Sequence, residues 1–419
     1  MRHRIIGSLV ALLLLVPWQV AQAIELWSSK SGDRYYIFDA ALKWTSLVSH
    51  APKDLLLFPE RWSGTTLWRG RMTVGAQPVP WINFRLAYEQ RTRNVSQQSG
   101  SAGSGFLLPT TRAPYRISQL DAKLAEVGNT FSYRHEVDRA FAAFHSGDLE
   151  LTVGRQPIGW GRGLFFGAVD IFAPFSPLES DREWRRGVDA VRSSLPLSDL
   201  ISLETLAVMD KSLESSAFAA RLQGYVGDID GEVMIGKRAD DYFSAVTTSL
   251  PMLGAELHGE VALFRTADGA GLGRNDTVIK GVVGGSYGLN ASGQFLIAAE
   301  YHYSGFGVND ITQAQFQLQN PRLQARFERG DSQILGRHAA AFQLSYGVGG
   351  AAPLGLSWIF SPEDRSGVIT PSTRWLFSDN VTLIGQLYVA HGSHPVNGRI
   401  TSEYGATPTG GLIQISFYY

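Results

Sequence analysis

The chain contains no cysteine. A disulfide framework, a thiolate metal site and covalent haem attachment are therefore excluded, and nothing in the composition calls for a cofactor. Long apolar runs are almost as scarce. After residue 23 no segment reaches the ~18–20 continuous apolar residues that a membrane-spanning helix needs. An excess of charge is missing too. Setting aside Arg2 and Arg4 leaves 35 basic against 38 acidic side chains, which gives no sign of nucleic-acid binding. Finally, no linker divides the chain, although a soluble protein of 419 residues would be expected to split into two or three domains.

The first 23 residues stand apart. Arg2 and Arg4 precede an apolar run from Ile5 to Val16, Pro17 ends it, and Ala21-Gln22-Ala23 offers the small residues of a cleavage site. This is the pattern of a secretory signal peptide, 1–23, removed before Ile24. The rest, 24–419, reads as an exported chain with no helical route into a membrane.

Within 24–419 one rhythm recurs. Ile82, Phe84, Leu86 and Tyr88 share one face of an extended segment, and Asn83, Arg85, Ala87 and Glu89 share the other. The same alternation returns in Ala255 to Val261, Phe295 to Tyr303 and Val381 to Val389. Each run is about ten residues, the length of a tilted strand crossing a bilayer. Short turns such as Ser146-Gly147-Asp148, Asp228-Ile229-Asp230 and Ser378-Asp379-Asn380 alternate with long polar connections near 92–127, 159–183, 266–276, 305–336 and 392–408. Up-strands are expected near 34, 81, 149, 200, 231, 254, 294, 354 and 381, and down-strands near 64, 128, 184, 216, 242, 277, 337, 367 and 409. The fold class expected is all-β: a transmembrane antiparallel up-and-down barrel of about 18 strands, or 16 if the weak pair near 231 and 242 is not formed.

The terminal GGLIQISFYY fits the same scheme. Ile413, Ile415, Phe417 and Tyr419 share a face meant for lipid, and Leu412, Gln414, Ser416 and Tyr418 share the wetter one. A last strand must pair with the first, because an open edge in hydrocarbon leaves backbone groups unsatisfied. The tail resembles the C-terminal signal by which barrel-assembly machinery recognises outer-membrane barrels of Gram-negative bacteria. That resemblance assigns Phe417 and Tyr419 to the assembly signal.

The densest chemistry lies between 135 and 197. His135-Glu-Val-Asp-Arg-Ala-Phe141, Gly154-Arg155-Gln156, Trp160-Gly161, Asp170-Ile171-Phe172-Ala173-Pro174 and Gly187-Val188-Asp189-Ala190 resemble the GRQxxxWG, DxFxP and GxDA motifs of a porin-like family of bacterial outer-membrane barrels. The resemblance covers some sixty residues. It implies an outer-membrane location, contact with outer-membrane lipid, and passive transport of small hydrophilic or charged solutes rather than a named substrate. It also implies that some relatives pair with a periplasmic cytochrome, so a plugged or partner-filled barrel is the alternative. Porins are often trimeric, and a homo-oligomer is left open.

Phe165, Phe166, Phe172 and Phe175 are too apolar for a loop in water, so 159–183 is expected to fold inward as a constriction loop. It would bring Asp170, Glu179, Asp181 and Glu183 beside Arg182, Arg185 and Arg186. On the wall, alternation puts Arg69, Arg71, Arg85 and Arg91 inside early strands and Glu256, Glu260 and Glu300 inside later ones. A charge facing lipid in mid-membrane costs roughly 2–4 kcal/mol, which favours the inward register. Opposed charges across a narrow pore would then set a transverse field. Arg139, by parity with Val137 and Phe141, requires a bulge or a strand end. Two other patterns point elsewhere. Asp228/Asp230 and Asp240/Asp241 are carboxylate pairs of the kind that hold calcium, although turns favour Asp anyway. His391-Gly392-Ser393 resembles the His-x-Ser pair of outer-membrane phospholipase A, but an Asn follows the serine in that family and His394 follows it here.

Overall fold

The computed structural model describes residues 24–96, 106–107, 113–267, 277–289, 294–347, 350 and 352–419. The signal-peptide segment 1–23, most of the SQQSGSAGSG tip, part of the 266–276 connection and the turn at 290–293 lie outside them.

Eighteen strands form the wall. The first nine are β2 (Tyr35–His50), β3 (Trp62–Val79), β4 (Ile82–Val95), β6 (Phe131–Ser146), β7 (Leu149–Gln156), β8 (Val188–Ser198), β9 (Ile201–Val208), β10 (Ala217–Val226) and β11 (Ile229–Arg238). The second nine are β12 (Asp241–Met252), β13 (Ala255–Arg265), β14 (Thr277–Gly288), β15 (Phe295–Ser304), β16 (His338–Tyr346), β17 (Leu354–Ser361), β18 (Ser366–Ser378), β19 (Val381–His391) and β20 (Thr409–Tyr418). Each pairs antiparallel with its neighbour, and β20 closes on β2 from Ala41↔Tyr418 to His50↔Thr409. The weak pair β11–β12 is fully formed, from Asp230↔Ser249 to Arg238↔Asp241, so the count is 18 and not 16.

The burial pattern is inverted relative to a soluble core. Along β13, His258, Glu260, Ala262 and Phe264 are buried inside, while Val261 and Leu263 are exposed outside. The same holds on β20, where Leu412, Gln414 and Ser416 are buried and Ile413 and Phe417 are exposed. An apolar exterior around a polar interior is what closure in lipid requires. Among the described residues no helix is long and apolar enough to cross a membrane.

Three features depart from the sequence-based expectation. A short strand β1 (Ile24–Ser28) pairs with the start of β2, and β5 (Asp121–Val127) pairs with β6 inside what reads as a long polar loop. The long-loop end is also uneven: β11 and β12 are joined there by Ala239 and Asp240 alone, with Ala239 at φ 50. The Arg139 parity conflict resolves as a bulge. Ala87 pairs with Arg139 and Tyr88 with Val137, leaving Asp138 as the extra residue.

The seam depends on the last three residues, where Tyr419 N–H donates to Ala40 O (2.8 Å) and Ala40 N–H donates to Tyr419 O (2.8 Å). Deleting Phe417 to Tyr419 removes these bonds and two exposed rings. The truncated chain is expected to lose the heat-modifiable gel mobility of a closed barrel; unchanged mobility would contradict this account of the seam.

Candidate functional site

The segment between β7 and β8, residues 157–187, leaves the wall and returns to it within one clamp. Arg155 on β7 donates to both oxygens of Asp189 on β8 (2.7 and 3.1 Å), joining the GRQ and GxDA motifs. The Gln156 amide donates to Thr152 O and Ala190 O (3.2 Å each). Gly187 N–H donates to the bulged Asp138 carboxylate (2.9 Å), and a Cβ at Gly187 would stand 2.1 Å from Asp138 O. Arg116 holds Gly187 O from the other side (3.0 Å), and Arg139 holds Arg185 O. The bulge is thus the point at which the wall grips the end of the loop.

Between these ends the chain crosses the lumen without a β-ladder, so its N–H groups need other partners. Two wall carboxylates supply them. Glu260 on β13 accepts from the backbone of Arg162, Gly163 (2.8 Å), Ala168 (2.7 Å) and Val169 (3.3 Å). Glu300 on β15 accepts from Leu164 (2.6 Å), Phe165 (3.2 Å) and Phe166 (2.7 Å). Both carboxylates are buried, 1% and 3% exposed, and hydrogen bonds to a charged acceptor are worth about 1.5–3 kcal/mol each. Gly161, at φ +102, lies against the Glu260 carboxylate, where a Cβ would come within 2.7 Å of it. Trp160 donates to Glu204 (2.8 Å), and Arg162 reaches Asp230 (2.5 Å) and Glu232 (3.1 Å).

The returning half of the loop meets the opposite wall. Asp181 pairs with Lys43 (2.8 Å) and Arg69 (3.3 Å). Glu183 pairs with Lys43 (2.6 Å) and accepts from the Tyr418 hydroxyl (2.7 Å). The Trp184 ring lies beneath Lys43, Arg69 and Arg71, 4.0, 4.6 and 4.9 Å from its centroid. Asp170 pairs with Arg185 (2.7 Å). Burial pushes the Asp170 carboxyl up despite that partner. For Asp181 burial acts upward as well, but Lys43 and Arg69 override it and hold the carboxyl below its usual range.

The acidic–basic cluster expected at 170–186 is therefore largely dispersed. Among Asp170, Glu179, Asp181, Glu183, Arg182, Arg185 and Arg186, Asp170–Arg185 is an ion pair, whereas Asp181 and Glu183 are spent on the wall. Arg182 donates to the carbonyls of Ser176 (3.1 Å) and Pro177 (2.6 Å). Arg186 is half-buried, and burial lowers its pKa against the raising effect of Glu179.

The wall charges need a correction too. Arg69 pairs with Glu89 (2.8 Å), Arg71 with Asp138 (2.8 Å), and Arg91 with Glu89 (3.3 Å) and Glu136. Glu260 and Glu300 are covered by the loop. Bare, opposed walls of arginine and glutamate are not seen among the described residues, because Arg69, Arg71 and Arg91 pair with carboxylates nearby and Glu260 and Glu300 hold the loop backbone. Arg85 and Glu256 share the inward face with these groups and are exposed. Lys43, Glu89, Glu204 and Arg162 were missed: Lys43 meets loop residues 138 and 140 positions away and Arg162 meets β11, while Glu89 and Glu204 pair with arginines on adjacent strands and only inward parity marks them.

The other two patterns do not assemble. His391 Nε2 accepts from the Trp358 indole (3.1 Å), and no hydrogen bond joins it to Ser393 among the described residues. Asp230 pairs with Arg162 and Asp241 with Arg326 (2.5 Å each), and no group of three metal-ligating side chains occurs among the described residues.

A cavity of about 530 Å³ remains between the loop, at Leu178 to Glu183, and the inner faces of β16–β20. No family model matches the chain, and no curated protein matches it. Among solved structures, Acinetobacter baumannii OccAB4 aligns at a TM-score of 0.56 and 8% identity, covering 92% of this chain and 98% of that one. Pseudomonas aeruginosa OccK9 (OpdG) aligns at 0.57 and 9%, covering 91% and 98%. Both neighbours are outer-membrane porins. The likeness is one of fold.

Two outcomes follow from this geometry. Replacing Glu260 and Glu300 together by Gln removes the charge from seven loop contacts, so the loop should become cleavable by protease within 157–187 while the barrel keeps its heat-modifiable mobility. Glu179 is buried, its Oε1 has no hydrogen-bond partner among the described residues, and burial pushes its pKa up to about 7. It is neutral below that pH and adds a negative charge to the cavity above it. The reversal potential should move toward cation preference between pH 6 and 8, and Glu179→Gln should flatten the change.

Proposed function

We propose that the chain is an outer-membrane porin, a passive diffusion channel for small hydrophilic solutes, with residues 157–187 forming its constriction. The observation that carries this reading is the cavity itself: a polar space inside a closed barrel whose outer face is apolar, bounded by a loop tied to both walls. A rigid loop with a cavity beside it narrows a lumen without sealing it. The porin fold of the two solved neighbours supports the same reading.

On this reading outer-membrane lipid surrounds the strands, Phe417 and Tyr419 belong to the signal read by barrel-assembly machinery, and residues 1–23 direct export. A sheath around a periplasmic cytochrome would need the lumen that 157–187 occupies, which favours the channel over the partner-filled barrel.

In planar bilayers the purified protein should conduct ions in discrete steps, and replacing residues 163–180 by a short Gly-Ser linker should raise the conductance. A silent bilayer after verified insertion would reject the channel.

A further inference from the structure

The lumen is divided by chemistry. On the side of β6–β15 many inward side chains are charged and covered, although Glu256 is exposed. Besides the loop 157–187, the helix Pro321–Arg329 packs there, with Arg326 on Asp241 (2.5 Å) and Asp331 bonded to Arg238 (2.5 Å) and Arg329 (2.7 Å). The Tyr115 hydroxyl accepts from Arg238 (2.9 Å), adding a third filler.

The open side differs. Arg374 is the sole charged side chain that β16–β20 contribute to the cavity lining. In its place run neutral amides and hydroxyls on neighbouring strands: Gln343 opposite Ser357, Ser357 opposite Thr370, Ser372 opposite Gln386, and Gln414 opposite Thr45. The amides are oriented by the wall. Gln343 donates to Ser345 (2.9 Å), Gln386 accepts from the Tyr388 hydroxyl (2.9 Å), and Gln414 accepts from Thr45 (3.0 Å). Across the cavity stand Leu164, Phe165 and Leu178 together with the loop charges Glu179, Asp181, Arg182 and Glu183, of which Asp181 pairs with Lys43 and Arg69 and Glu183 shares Lys43.

A charged solute entering this space sheds hydration and meets lining charges of both signs, Glu179, Asp181 and Glu183 against Arg182 and Arg374, so neither sign gains a net attraction that repays the cost. A solute bearing hydroxyl groups exchanges water for amide and hydroxyl partners and can lay a C–H face on the apolar side. Taking the channel reading as its basis, we propose that the passage favours small uncharged, hydroxyl-bearing solutes over charged solutes of the same size. Gln343, Gln386 and Gln414 are its specificity-determining residues.

The test uses the full mature chain in proteoliposomes, with osmotic swelling measured for a neutral hexose, the matching sugar acid and the matching amino sugar. The hexose should enter fastest. The triple variant Gln343→Leu, Gln386→Leu and Gln414→Leu should slow it about five-fold, the weight of about one neutral hydrogen bond, and should slow the sugar acid and the amino sugar less. If the triple variant fails to fold, the single Gln386→Leu protein should show a smaller loss in the same direction. Entry of either charged sugar at the hexose rate or faster overturns the proposal, as does an unchanged hexose rate in a folded variant. Absence of both conductance and swelling in the wild type rejects the channel itself, a result distinct from a conducting pore that excludes the hexose.

Discussion

A stretch of backbone that leaves a sheet must find partners for its N–H groups, and in this barrel two side chains meet most of that requirement over residues 162–169. Glu260 and Glu300 project from adjacent parts of the wall, two strands apart, and between them accept seven backbone donors from residues 162–169. Carboxylates suit the task because each oxygen can accept more than one hydrogen bond. Their burial beneath the loop is tolerable only because those donors stand in for water. The position of the loop, the division of the lumen and the size of the remaining cavity follow from that attachment.

The charges on the rest of the wall obey a similar logic. Arg69, Arg71 and Arg91 interleave with Glu89, Glu136 and Asp138 on three neighbouring strands, so the wall is a mosaic rather than a bare cationic face. Breaking a buried pair of this kind by removing one partner typically costs about 3–5 kcal/mol, since the other charge is stranded. These side chains are thus committed to the architecture before any solute arrives.

Much of this was legible in the sequence, and the part that was not has a physical reason. The period-2 pattern placed all eighteen wall strands because one face of each must be apolar in lipid. The parity conflict at Arg139 called for a bulge or a strand end, because a charged side chain and its neighbours could not otherwise all face correctly, and the register places a bulge at Asp138. β5 escaped because Asp121 to Val127 has no lipid face to encode; most of it is exposed on both sides. The partners of the charges escaped for a different reason. Lys43 meets Asp181 and Glu260 meets Arg162 across 138 and 98 positions of chain, and inward parity alone cannot say which charge meets which. The neutral lining of β16–β20 was overlooked because Gln, Ser and Thr on an inward face carry no motif.

The seam between β20 and β2 has a consequence for how a bounded passage comes into being. The loop's carboxylate anchors belong to β13 and β15, and its clamp belongs to β6–β8, all contiguous in the middle of the chain. The strands that face the open cavity come later, ending at the seam with one of the earliest. A sheet lacking only that final pairing would keep the central anchors of its loop, yet Glu183 could not bridge Lys43 on β2 and Tyr418 on β20, and the sheet would enclose no conduit. One half of the constriction is fixed by the chain's centre, whereas its other half, like the pore, depends on the two ends meeting.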